Sequence, residues 1–228
     1  MTPLEYALKY VDLGWSVFPC HFIDYGVCSC HRPDCKSPGK HPMTRNGVKD
    51  ASKDTNIVRE WWEKCPKASI GIATGRESGV FVVDLDGQQG IAAFAKLQAE
   101  NGPVPSTPTA WTGGGGRHLF LTHPDGKVIK NRTKIGGQPI DVRGDGGYVI
   151  APPSGHASGN SYRWEVSPFD TLPAIAPHWV LDLITAPQAA PRAEAGLDDL
   201  VESESGTGSL LLGPISEPVP LIPAYSPC

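Results

Sequence analysis

The chain has 228 residues, 39% of them hydrophobic, and a formal net charge of −4 at pH 7. That length suits one domain with an appendage or two small domains, and the apolar content supports a real core. No run of 18 apolar residues occurs, which excludes a spanning helix; residues 1–20 lack a basic start and a long apolar run, so no signal peptide is predicted and a cytoplasmic location is expected.

The net negative charge argues against a nucleic-acid binder only until its placement is considered. Residues 186–228 hold Arg192 against Glu194, Asp198, Asp199, Glu202, Glu204 and Glu217, so the rest of the chain is close to neutral. Between Arg117 and Arg143, Lys127, Lys130, Arg132 and Lys134 outnumber Asp125 and Asp141. This local basic patch is compatible with a phosphate ligand and equally with a solvated face.

In chain order, Pro3–Leu13 reads as a helix. Thr2 is placed as N-cap, Pro3 as the first helical residue, Glu5 as the partner in a capping box, and Gly14 as the terminator. Trp15–Pro19 is a short strand. From Cys20 to Pro42 the composition changes to Cys, His, Gly, Pro and charged residues, with little to pack, and such a segment needs a staple. In a cytosolic chain, clustered Cys and His point to zinc before disulfides. Cys28, Cys30, Cys35 and His41 form the best tetrahedral set, a structural Cys3His site with no open position. His31 or Cys20 could replace one member, and free surface thiols are the plain alternative.

Asp54 or Thr55 caps a helix running to Lys64, and Ser69–Ala73 is a strand. Val80–Gly87 then reads Val-Phe-Val-Val-Asp-Leu-Asp-Gly. Residues two apart on a strand share a face, so Asp84 and Asp86 point the same way and Leu85 points into a core. Neighbouring carboxylates repel, and a divalent cation between them gives them a task. The alternative is an ordinary strand exit, where Asp and Gly are common.

Gln89–Asn101 is a second helix, stopped by Gly102-Pro103. Thr107–Thr112 is extended and leads into Gly113-Gly-Gly-Gly116, Arg117 and His118, with a strand at Leu119–Thr122. A glycine turn permits close approach of backbone amides to phosphate oxygens, although glycine is also common in plain hairpins. Asp141, between Ile140 and Val142, faces away from both and is a third candidate carboxylate. Strands at Tyr148–Ala151 and Ser161–Trp164 and a helix at Pro177–Ile184 follow. Residues 186–228, rich in Ala, Pro, Gly, Ser and acidic residues, read as a disordered linker or tail, with a downstream domain or a truncation implied.

Asp84-Leu-Asp86, then Gly-Gly-Gly-Arg-His118, then Asp141-Val-Arg-Gly-Asp-Gly-Gly-Tyr-Val-Ile-Ala-Pro-Pro-Ser154 closely resemble the bifunctional DNA primase/polymerase N-terminal domain, of the archaeo-eukaryotic primase superfamily. Ser37-Pro-Gly-Lys-His-Pro42, with the cysteines before it, looks like a zinc-bearing form of that family's N-terminal loop. The resemblance covers about residues 4–184 and implies an α/β (α+β) fold. This would be an RRM-like antiparallel catalytic sheet packed with a smaller α/β unit, with a zinc-stapled loop insertion and the site in the cleft between them. It places the catalytic domain at residues 1–185.

The resemblance also implies roles. Asp84, Asp86 and Asp141 would hold two catalytic Mg2+ or Mn2+ ions, and His118 would contact the phosphates of the incoming nucleotide. Gly114, Gly115, Gly116, Arg117 and Arg143 would line the nucleotide site, and one structural Zn2+ would sit in the loop. The activity implied is template-directed nucleotidyl transfer by a replication protein of a plasmid, phage or other mobile element. The partners would be a single-stranded DNA template and primer, nucleoside triphosphates, and a downstream helicase domain or protein, without a membrane. No helicase P-loop stands in the tail. Carboxylate trios also cut phosphodiesters, so a metal-dependent nuclease stays open, as does a non-catalytic zinc-containing nucleic-acid module. Nucleoside triphosphate dependence separates synthesis from cleavage.

Overall fold

Helix α1 (Pro3–Asp12) opens the chain with the capping box its sequence predicts. The Thr2 hydroxyl accepts from the Glu5 amide at 3.3 Å, and the Thr2 amide donates to Glu5 Oε2 at 2.7 Å. The computed structural model describes residues 1–186, so apart from Ala186 the stretch read as a tail lies outside the described residues. Strand β1 (Val17–Cys20) leads into a hairpin, β2 (Ile23–Asp24) and β3 (Val27–Cys28), which gives the cysteine-rich loop more structure than its composition suggests. Asp54 caps α2 (Thr55–Lys64) by accepting from the Asn56 amide at 2.8 Å.

The order then runs β4 (Ser69–Ala73), β5 (Val80–Leu85), α3 (Gly87–Asn101), β6 (Thr109–Trp111), β7 (Arg117–Thr122), β8 (Ile140–Arg143), β9 (Tyr148–Ala151), β10 (Arg163–Val166), β11 (Ala174–Ile175) and α4 (His178–Thr185). This is a mixed α/β structure with antiparallel sheets and, among the described residues, four α-helices. A three-stranded sheet has the order β1-β4-β9. A larger sheet has the order β10-β6-β7-β5-β8, with β11 joining β7 in parallel.

Strand β5 is apolar throughout because both of its faces are covered. Val80 and Val82 pack with Phe120, Ala110, Tyr10 of α1, Trp62 of α2, and Ile70 and Ile72 of β4. Phe81, Val83 and Leu85 pack on the opposite side with Phe94 of α3 and Val180 and Ile184 of α4. The large sheet is therefore clad by helices on one face and meets the small sheet on the other. Among the described residues no helix is long and apolar enough to cross a membrane.

Candidate active site and Cys/His cluster

The register of the large sheet assembles the polar site. Asp84 on β5 lies directly across from His118 on β7 and from Asp141 on β8, and Ala110 on β6 continues the row. Directly opposed residues share a face, and this row lies on the face toward the small sheet. A pocket of about 560 Å³ opens there, lined by Asp84, Asp86, His118 and Arg143 from around the large sheet, Tyr148 and Ile150 from β9, and Ser37 and Lys40 from the cysteine-rich loop.

The next row has the opposite facing. Arg163, Trp111, Arg117, Leu85 and Ile140 stand across from one another in successive strands. Leu85 is buried as its alternation predicts. Arg117, expected beside the nucleotide, belongs to this row. Its guanidinium lies 4.3 Å from the centre of the Trp111 ring and pairs with Glu165 at 2.9 Å. One step along a strand reverses the facing, so Arg117 and His118 cannot both serve the same pocket.

The carboxylates are not equivalent. Asp84 Oδ1 lies 3.4 Å from His118 Nε2, and Asp84 Oδ2 lies 3.9 Å from Arg143 Nη2. Burial alone would raise the Asp84 carboxyl; His118, then Arg143 and Lys40, outweigh it and hold the group below the usual carboxylate range. Asp141 is buried, with Oδ1 accepting the Lys134 amide and Oδ2 accepting from Arg143, both at 2.9 Å. Asp86, at the N-cap of α3, is exposed and makes no capping bond among the described residues; the pocket wall still shields its carboxyl from part of the solvent, and that shielding, then Asp84 and Asp141, raises it. Burial, followed by the charges of Asp84 and Asp86, pushes up the phenol of Tyr162 on the pocket wall. His118 Nδ1 is buried and has no hydrogen-bond partner among the described residues.

This donor set fits hard divalent cations. Asp84 and Asp86 present oxygens to an open pocket, and Mg2+ is commonly held by one or two carboxylates together with substrate phosphates. Asp86, crowded by two other carboxylates, calls for positive charge there. Asp141 stands behind, engaged by Arg143.

The glycine turn differs from its expected use. The Gly115 amide donates to the Thr112 carbonyl at 3.0 Å and the Gly116 amide to the Thr112 hydroxyl at 2.9 Å, so both are occupied within the turn; Gly114 lines the pocket. Gly116 is required for another reason. A Cβ there would come within 2.2 Å of the Leu85 carbonyl oxygen and 2.9 Å of the Gly87 amide, so the turn crosses directly over the segment carrying Asp86.

The second cluster is local. Ligand atoms of Cys28, Cys30, Cys35 and His41 all lie within 4.8 Å of one another, so these residues could hold a metal such as zinc. His41 Nε2 is 3.5 Å from both Cys28 Sγ and Cys35 Sγ. Tetrahedral zinc with its usual bond lengths sets such nitrogen–sulfur edges at about 3.5 Å. Burial, followed by Arg32, lowers the His41 imidazole and keeps it in the neutral form a metal requires. The two alternates stand apart: Cys20 is buried in a separate apolar cluster with Phe18, Ile150 and Tyr162, and His31 is exposed at a positive φ of 53°.

Sequence reasoning did not single out Lys40, Tyr148 or Tyr162 for the pocket. Lys40 lies inside the Ser37–Pro42 motif, which was the available signal. Tyr148 and Tyr162 became relevant only once the two sheets were brought face to face. No curated protein matches the chain. The family model for the bifunctional DNA primase/polymerase N-terminal domain matches residues 7–179. The match spans most of the chain and includes all three motifs, and the chain belongs to the bifunctional DNA primase/polymerase N-terminal family.

Proposed function

We propose that the protein is a nucleotidyltransferase that copies a DNA template, with the Asp84–His118–Asp141 row as its active site. Family membership supports primase/polymerase chemistry in general. The observation that carries the specific reading is the convergence of Asp84, Asp86, His118 and Arg143 on one pocket between the sheets. Residues 1–185 would form the catalytic domain, and the helix-backed antiparallel sheet is compatible with the RRM-like core that the resemblance implies.

In this reading Asp84 and Asp86 are the principal holders of Mg2+ or Mn2+, with Asp141 as the third carboxylate. Bound divalent ions would supply charge neutralisation for the triphosphate and acidify the primer 3′-hydroxyl. His118 orients Asp84 through Nε2 and offers Nδ1, which has no partner among the described residues, to a ligand. Arg143, between Asp84 and Asp141, supplies a guanidinium suited to phosphate oxygens. Gly114 gives a close approach from the turn, while Gly115 and Gly116 shape it. The Cys28, Cys30, Cys35 and His41 cluster would carry one structural zinc. Partners would be single-stranded DNA template, primer and nucleoside triphosphates, with a helicase acting downstream.

The test is incubation with single-stranded template and labelled nucleotides, with and without a primer, in Mg2+ and in Mn2+. Nucleotide-dependent strand growth is expected. Strand cleavage without added triphosphate would instead identify a nuclease.

A further inference from the structure

The pocket contains a second cation whose charge reaches Asp84 only from beyond ion-pair distance. Arg143 pairs with Asp141 and reaches toward Asp84. Lys40 also lines the pocket, yet no carboxylate among the described residues lies within ion-pair distance of its ammonium. A lysine ammonium is a compact, mobile point charge, and phosphate is one of its habitual ligands.

The backbone bearing Lys40 belongs to the Cys/His cluster. His41, the next residue, is one of the four cluster members, and the Gly39 amide donates to Cys28 Sγ at 3.3 Å. The Lys40 carbonyl accepts from the Tyr148 hydroxyl at 3.1 Å, on the pocket wall, and the His41 carbonyl accepts from the His21 amide at 2.9 Å. A Cβ at Gly39 would meet Ile23 at 3.0 Å, so the segment lies close against the β2–β3 hairpin. Adjacent Cα atoms are about 3.8 Å apart, and a metal gripping His41 and Cys28 therefore restrains Lys40 on both sides.

We propose that Lys40 binds phosphate oxygens of the ligand in this pocket, and that metal occupancy of the Cys28/Cys30/Cys35/His41 cluster sets the affinity by holding Lys40 in place. The inference rests on the pocket taking a nucleotide, as proposed above. The phosphate could belong to a nucleoside triphosphate or to a nucleic-acid strand, and the experiment has an arm for each.

Binding is measured by fluorescence with a labelled deoxynucleoside triphosphate, using Ca2+ to hold back turnover, and separately with a labelled single-stranded oligonucleotide. The proteins are wild type, Lys40→Ala and Lys40→Arg, each as purified, after chelation and after zinc reloading, with metal content determined for every sample. Lys40→Ala should keep its zinc yet weaken nucleotide binding about tenfold or more, with Lys40→Arg retaining most of it. Chelated wild type should fall to the Lys40→Ala level and recover with zinc, while chelation of Lys40→Ala should add little. Weakening confined to the oligonucleotide arm would support the phosphate contact and assign it to the strand. Unchanged binding of both probes by Lys40→Ala would overturn the contact. Equal further loss when Lys40→Ala is chelated would overturn the coupling. A wild type that takes up no triphosphate, while binding the oligonucleotide with Lys40 dependence, would overturn the nucleotide reading instead.

Discussion

The two polar clusters of this protein are built in opposite ways. Cys28, Cys30, Cys35 and His41 come from one short stretch, and their ligand atoms converge within 4.8 Å. Asp84, His118 and Asp141 come from three strands and meet only because β5 pairs with β7 and β8 in one register. Arg143 lies against both Asp84 and Asp141, and His118 contacts Asp84, whereas Asp86 is exposed and its carboxyl is raised. A soft, closed set encloses its metal, whereas an open oxygen set needs the ligand's own oxygens to complete it. The first suits structure and the second suits turnover.

The largest expected effect lies on the carboxylate row. Asp84→Asn and Asp86→Asn should each lower nucleotide incorporation by at least about a hundredfold, because even residues that only support metal ligands cost 10–100-fold. Near-normal extension by either variant in saturating Mg2+ and Mn2+ would remove that residue from the site. The other cluster should respond structurally. Chelation should expose amides of residues 20–42 to hydrogen exchange while those of β5 and β7 stay protected, since an unbound loop of this kind has little packing of its own. Loss of protection across the large sheet would break the distinction between the two clusters.

His118 should show a smaller effect. His118→Ala is expected to raise KM for nucleotide and lower kcat, with kcat/KM reduced on the order of 10–100-fold and template affinity almost unchanged. Nucleotide titration at fixed primer–template, beside a DNA-binding titration, separates these quantities. Equal loss of DNA binding and synthesis would assign His118 to the template.

The smallest effect is on metal-free stability and differs in sign between two aspartates. The Asp86 carboxyl is raised in the folded protein, so ionising it disfavours folding and the stability linked to its protonated form is lost as pH rises above the ordinary value of 3.8. Asp86→Asn should therefore raise the neutral-pH melting temperature slightly, by at most about 2 °C, with the gain vanishing in acid. Asp84 is held low by His118 and Arg143, so its contribution is present above 3.8 and lost as pH falls through the lower folded value. Asp84→Asn should destabilise the protein at neutral pH by about 1–3 kcal/mol. Thermal melts of both variants in chelator, at neutral and acidic pH, check the signs.

Much of the fold could be read from local signals. The capping box at Thr2 and Glu5, the Asp54 cap, and strands Ser69–Ala73 and Tyr148–Ala151 all stand where their residues predict. The Cys/His cluster was legible because its spacing is short. The carboxylates were legible as individual residues, but their different partners were not: alternation assigns Asp84 and Asp141 to faces, while only strand pairing brings Arg143 between them. Arg117, expected beside the nucleotide with His118, stands against Trp111 and Glu165 instead, because adjacency along a strand is opposition across a sheet. Lys40 and Tyr148 reach the pocket through contacts that span 108 residues, which no local pattern encodes.

The most direct test of the carboxylate row as a template-directed active site is single-nucleotide incorporation on four primer–templates that differ only in the first templating base. Wild type in Mg2+ or Mn2+ should add the complementary nucleotide in each case, and Asp84→Asn should add none. Incorporation that ignores the templating base, or that survives Asp84→Asn unchanged, would contradict it.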